Sequence, residues 1–240
     1  MNFLRSTVLI FVNLTIFLPT IQRKRMNCIL IVFVKNPVPG KVKTRVAATV
    51  GDEKAVMVYL ELLKHTKDVI TKWLAEPNDK AQKRAVIYYG DYINSNDLWD
   101  DAYFLKKLQV SLPDLGMRMQ SAFEEELTAD AARVVIIGSD CLALRPEHLS
   151  KAFEELNEND AVIGPADDGG YYLLGMKKLL NFLFENKSWS QPILMEETLA
   201  DLNRRKTSQD VPYTYQLLET LSDIDTWEDY LRELKAMNSF

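Results

Sequence analysis

RVVIIGSDCLAL, Arg133 to Leu144, is the stretch that decides the fold. Val134 to Ile137 are β-branched and uniformly apolar, the pattern of a central parallel strand covered on both faces. Gly138, Ser139 and Asp140 follow at its carboxyl end, and in an open α/β sheet ligands bind beyond the carboxyl ends of strands. Asp140 therefore stands where a metal ligand would stand. The competing role, capping a helix, fits it poorly. Arg145 and Pro146 read as the entry to the next helix, which runs to about Asn157 with proline at its start.

Outward from this strand, CILIVFV at Cys28 to Val34 reads as a second buried strand, and it empties into KNPVPGKVKTR, Lys35 to Arg45. Two prolines stiffen that loop, Gly40 permits close backbone approach, and Lys35, Lys41, Lys43 and Arg45 place four cations within eleven residues. It is either a polyphosphate-binding loop or a solvated basic surface. Asp52 is expected to cap a helix to about Leu74, with Val56, Tyr59, Leu60, Leu63, Ile70 and Trp73 inward. AVIYYG, Ala85 to Gly90, is the next strand, and strand, helix, strand is the unit of a parallel sheet.

Phe104 to Val110 suggests a short strand. Asp114 is expected to cap a helix with Met117, Phe123 and Leu127 inward and Arg118 as a surface charge rather than a contact to bound phosphate. His148 is expected to be exposed. DAVIGPADDGGYYLLGM, Asp160 to Met176, reads as strand, tight turn, strand. Asp167 and Asp168 precede Gly169 and Gly170, which admit positive φ and a ligand close to the backbone. A carboxylate pair held between two apolar strands can bind a metal or accept hydrogen bonds from sugar hydroxyls. Trp189 either covers an acceptor or fills a gap. Val211 to Leu217 is strand-like, and Thr226 caps the last helix with Glu228 and Asp229 at its positive end. That role accounts for Thr226 and leaves Asp223 and Asp225 without one.

The chain has 240 residues, 47% of them hydrophobic, and a formal charge of -5. It can bury one substantial core, and the acidic balance argues against a nucleic-acid binder driven by bulk electrostatics. The partner of the basic loop should be a small anion. Two cysteines, Cys28 and Cys141, make no disulfide framework and fit a cytoplasmic protein, and two separated histidines make a zinc site improbable. Residues 1–25 form an apolar run, broken at Pro19 and closed by Arg23, Lys24 and Arg25. They are expected to lie outside a single domain spanning 26–240, with Met26 as the true start; membrane association follows only if that extension is native.

Four segments, KNPVPGKVKTR, GSDCLAL, GPADDGGYYLLG and DIDTWED, in this order resemble the nucleotide-diphospho-sugar transferase (glycosyltransferase-A-like) superfamily. More narrowly, the chain is similar to bacterial transferases associated with radical-SAM and selenoprotein domains, some named arsenosugar biosynthesis glycosyltransferases. The resemblance spans Met26 to about Leu234. It implies a three-layer α/β/α sandwich around a mostly parallel sheet, and a nucleotide or nucleotide-sugar donor whose phosphates meet Lys35, Gly40, Lys43, Thr44 and Arg45. It further implies Mg²⁺ or Mn²⁺ on Asp140 and Asp225, and a small-molecule acceptor at Asp167, Asp168, Gly169, Gly170 and Tyr171. Lys43 and Asp168 are the implied catalytic residues, Lys43 neutralising phosphate oxygens and Asp168 as base or acceptor anchor. Two positions depart from the family pattern: Leu142 and Trp227 stand where proline is usual. The same residues would serve glycosyl transfer from a nucleotide sugar, the preferred expectation, or nucleotidyl transfer from a nucleoside triphosphate. A non-catalytic nucleotide binder on a decayed fold is the remaining alternative.

Overall fold

The computed structural model describes residues 26–78, 81–99, 102–128, 132–206 and 208–237, so the expectations for residues 1–25 lie outside the described residues. Seven strands form one sheet: β1 (Met26–Val34), β2 (Ala81–Tyr89), β3 (Phe104–Leu108), β4 (Ala132–Ile137), β5 (Ala161–Pro165), β6 (Tyr171–Met176) and β7 (Tyr215–Leu217), in the order β3-β2-β1-β4-β6-β5-β7. β1 pairs in parallel with β2 and β4, and β2 with β3; β6 runs antiparallel to β4 and β5, and β5 pairs in parallel with β7. The helices are α1 (Thr44–Val50), α2 (Asp52–Ala75), α3 (Leu115–Glu126), α4 (Pro146–Glu155), α5 (Leu194–Arg204) and α6 (Trp227–Met237), with a 3₁₀ turn at Asn181–Leu183. This is the expected mostly parallel three-layer sandwich.

The uniformly apolar strands are apolar because both faces are covered. Leu30, Val32, Ile87, Val135 and Ile137 join one core with Leu62, Leu63, Ile70 and Trp73 of α2 and Leu149 and Phe153 of α4. Their alternating neighbours Ile29, Ile31, Val86, Val134 and Ile136 join a second core with Met119 and Phe123 of α3 and Leu202 of α5. Each such side chain contributes roughly 1.5–3 kcal/mol by leaving water, so the sheet is held from both sides. Trp73 stacks on Phe153 with ring centroids 5.0 Å apart, which locks α2 against α4.

Several local expectations are corrected. Gly51 occupies the cap position of α2 and makes no side-chain cap bond, whereas Asp52 is the first helical residue. Leu60 and Met117 are exposed, because the inward stripes of α2 and α3 run through Leu62 and Leu63 and through Met119 and Phe123. His148 is buried: its Nδ1 accepts from the Arg145 backbone N–H, and its ring meets Glu219. The strand expected over Val211 to Leu217 shrinks to Tyr215–Leu217, where β5 offers a partner. Asp114 caps α3 as expected, accepting from the Met117 N–H at 2.9 Å, and Thr226 and Asp229 cap α6 reciprocally.

Candidate functional site

The register of the sheet brings the ends of β1, β2 and β4 together. Val34 stands opposite Tyr89, and Val32 opposite Ile137. The chain leaves β1 through an asparagine pin: buried Asn36 donates from Nδ2 to the Tyr92 carbonyl and accepts the Tyr92 N–H. Gly40, at φ 75°, turns the loop back, with the Lys41 N–H donating to the Val38 carbonyl at 3.0 Å. Val42 is buried beneath the loop as an anchor. Lys43 then adopts left-handed backbone (φ 46°, ψ 46°) immediately before α1. Such a conformation disfavours a side chain with a Cβ and is held only when the surroundings impose it.

What imposes it is the far end of the chain. Lys43 Nζ donates to the Ile224 carbonyl at 2.6 Å and pairs with Asp140 Oδ1 at 2.8 Å, with a side chain only 7% exposed. Two residues on, Arg45 pairs with Asp225 Oδ2 at 2.6 Å. The segment carrying Asp223 and Asp225 is itself fixed by the Ile224 N–H, which donates to the Asp140 carbonyl at 2.8 Å. Ile224 is fully buried, and the aspartates on either side of it line the cleft. Basic loop, β4 end and late acidic segment therefore close into one site.

That site is a cleft of ≈ 1040 Å³. Of the residues singled out in the sequence, Lys35, Lys43, Thr44, Arg45, Asp140, Asp168, Gly170, Tyr171 and Asp225 line it. Gly40, Asp167 and Gly169 do not. Asp167 is engaged elsewhere, accepting from the Ser222 hydroxyl. Asp168 accepts the Gly170 N–H at 2.8 Å, which shapes the turn. Gly169 takes φ 84°, and a Cβ there would lie 2.0 Å from the Pro192 carbonyl oxygen, so the turn needs glycine.

Other lining residues carried no readable signal or were read differently. Tyr59 of α2 accepts the Lys35 N–H at 2.8 Å and meets the Ser139 hydroxyl at 3.3 Å, joining the ends of β1 and β4; burial and the neighbouring Asp140 carboxylate hold its phenol well above the usual range. Asp223, half-buried in the cleft, has its carboxyl pushed up to about 7 by burial and then by Asp140 and Asp168, with Lys43 opposing and Asp225 adding. Arg118, expected on the surface, lines the cleft instead. Trp189 forms a wall, its indole packed over Gly116, where a Cβ would sit 2.2 Å from Cζ2. Cys141 is buried, with its thiol pushed up to about 12, and is no nucleophile at neutral pH.

Among the described residues no three His, Cys, Asp or Glu side chains stand together as a preformed metal cage. Asp140 and Asp225 nevertheless face one cleft, and Asp223 senses the charge of both. Among those residues, too, no helix is long and apolar enough to cross a membrane.

A family model described as "Uncharacterized protein conserved in bacteria (DUF2064)" matches residues 77–191. A crystal structure from Desulfovibrio desulfuricans G20, of a protein provisionally named a nucleotide-diphospho-sugar transferase, matches with a TM-score of 0.68 and 31% identity, over 85% of this chain and 84% of that one. The chain belongs to the same family as this Desulfovibrio protein. More distant structures share its fold. The 4-diphosphocytidyl-2C-methyl-D-erythritol synthase of Anaerococcus prevotii DSM 20548 matches at TM-score 0.52 and 12% identity, over 89% of this chain and 96% of its own. The inositol-1-phosphate CTP transferase of T. maritima matches at 0.52 and 14%, over the same shares, 89% and 96%. No curated protein matches the sequence.

Proposed function

We propose that this protein is a transferase taking a nucleotide-activated donor, and that the reaction is glycosyl transfer from a nucleotide sugar to a small acceptor. The observation that carries the proposal is the position of Lys43. It is buried at the meeting point of the basic loop, Asp140 and the Ile224 carbonyl, in strained backbone, and it lines a cleft large enough for a nucleotide sugar. A lysine serving only as surface charge would need none of this. The 31% identical Desulfovibrio protein carries a nucleotide-diphospho-sugar transferase name, which supports the donor class. The four ordered sequence segments support the narrower kinship with radical-SAM-associated transferases.

Lys43 and Arg45 hold carboxylates in this structure and line the cleft, so donor entry would exchange those carboxylate partners for phosphate oxygens. Asp140 and Asp225 would then hold Mg²⁺ or Mn²⁺. Two carboxylates plus substrate phosphates and water suit Mg²⁺, which rarely uses an all-protein cage; Asp223 is raised by burial first and then by the Asp140 and Asp168 charges, and that second contribution is negative charge such an ion would offset. When bound, the ion supplies charge neutralisation of the departing phosphate. Lys43 adds to that neutralisation from a dry position, where a cation acts more strongly than in water. Asp168, exposed on the turn between β5 and β6, orients the acceptor hydroxyl or takes its proton. Gly170 and Tyr171 line the acceptor side.

The test is product analysis after incubation with a panel of nucleotide sugars and nucleoside triphosphates plus Mg²⁺. Release of nucleoside diphosphate from a nucleotide sugar is the expected outcome. Pyrophosphate release from a triphosphate would make the protein a nucleotidyltransferase, and no binding of any donor would make the fold a non-catalytic remnant.

A further inference from the structure

Two residues that line the cleft, Arg118 and Tyr171, each carry a buried polar atom, Nε and the hydroxyl, without a hydrogen-bond partner among the described residues. Buried polar groups are nearly always satisfied, and leaving one unpaired costs about 1–3 kcal/mol, so two in one cavity mark a place where something binds. Their surroundings say what. Among the described residues Arg118 makes a single side-chain hydrogen bond, from its terminal NH1 to Gln109 Oε1 at 3.0 Å, and Gln109 is held in turn by its Nε2, which donates to the Tyr88 carbonyl at 3.0 Å. The guanidinium is therefore oriented by a neutral amide rather than neutralised by a carboxylate. Trp189 packs over Gly116, two residues before Arg118 on the same helix, and its ring meets Tyr171 edge-on with centroids 6.5 Å apart. Phe33, Leu115, Met119 and Ile136 make neighbouring wall apolar. Burial holds the Tyr171 phenol far above the usual range, so it is a hydrogen-bond donor at every physiological pH.

Two donors, one of them cationic, on an apolar wall call for a ligand that brings oxygen acceptors and negative charge. We infer that Arg118 and Tyr171 form a second oxyanion subsite, distinct from the Lys43–Arg45 loop, that binds a carboxylate or phosphate of the second substrate. The inference deepens the reading of the cleft as a donor and acceptor site and rests on it. Arg118 suits the task, because its planar fork presents Nε and NH groups to two oxygens at once. Trp189 and Gly116 shape the wall beside that group, and Tyr171 closes it from β6. The acceptor is thereby anionic as well as hydroxylated.

The experiment follows the Arg118 Nε–H signal by nitrogen-15 NMR of the full chain during titration with inorganic phosphate and, separately, with acetate. Arg118→Lys identifies the resonance by its loss. The expected result is a saturable shift with at least one anion, the responding anion telling phosphate from carboxylate. Tyr171→Phe should weaken that response about three- to tenfold, the worth of one buried hydrogen bond. Lys43→Ala should leave it within about twofold, because the basic loop is a separate site. Absence of a saturable shift with both anions would overturn the inference, as would equal loss of the shift in Lys43→Ala, which would place the anion in the loop. A parallel titration with a nucleoside diphosphate and Mg²⁺ keeps the two readings apart. Donor binding without an Arg118 response refutes only the second subsite, whereas an Arg118 response without donor binding refutes only the donor assignment.

Discussion

Asp223→Asn should stabilise the metal-free protein, and by an amount that grows with pH. The carboxyl of Asp223 lies at about 7 in the folded chain against 3.8 ordinarily, raised by burial and by Asp140 and Asp168. A raised carboxylic acid costs nothing below pH 3.8, where both states are protonated. As pH rises from there the unfolded chain ionises first, so folding loses stability until about pH 7 and stays level above. At 1.36 kcal/mol per unit the full penalty is about 4 kcal/mol, of which about 2 kcal/mol accrues between pH 5.5 and pH 8.5. Solvent at the mouth of the cleft screens part of that, leaving roughly 1–2 kcal/mol. Asparagine has no such dependence. In thermal unfolding with a chelator present, the Tm advantage of Asp223→Asn should therefore widen by about 2–8 °C between those pH values. Adding Mg²⁺ at pH 8.5 should stabilise the parent more than the variant. A Tm difference independent of pH would refute the electrostatic account of the acidic cluster.

Other outcomes follow from the same geometry. Lys43→Ala should weaken donor binding by about 2–4 kcal/mol, roughly 30- to 1000-fold, in calorimetric titration, since it removes a desolvated cation from the phosphate loop. Glu126 is 1% exposed and accepts from Arg84, Lys107 and Tyr88, so Glu126→Ala should cost about 3–5 kcal/mol in denaturant unfolding while leaving donor affinity unchanged. Gly169→Ala meets both positive φ and the Pro192 carbonyl; a Tm fall of about 5 °C or more is expected, and an unchanged Tm would show that the turn tolerates a Cβ.

The parts of the fold that were legible in the sequence are those set by local pattern. Val134 to Ile137 and Cys28 to Val34 announced central strands because a run without polar alternation is stable in a sheet only where both of its faces are buried, as they are here. The caps at Asp114 and Thr226 were legible because they act within four residues. Burial that depends on distant partners was not. His148 looks like a surface residue on α4 until Glu219, 71 residues later, folds beside it. Arg118 lines a cleft whose other walls, Trp189 and Tyr171 among them, come from much later in the chain. Asp223 and Asp225 showed only that Thr226 left them without a role; their place in the cleft comes from the Ile224 N–H bonding to the Asp140 carbonyl, a pairing no local pattern encodes. Gly116 inside α3 carries a further signal, since a helical glycine often marks a side chain packed close against the backbone.

The central claim is that Lys43 and Asp140 belong to one donor site, and calorimetric titration of a nucleoside diphosphate with and without Mg²⁺ tests it most directly. Binding that strengthens with Mg²⁺ in the parent protein, weakens about 30-fold or more in Lys43→Ala and loses its Mg²⁺ dependence in Asp140→Asn is the predicted result. Identical titrations for the parent and both variants would contradict the account.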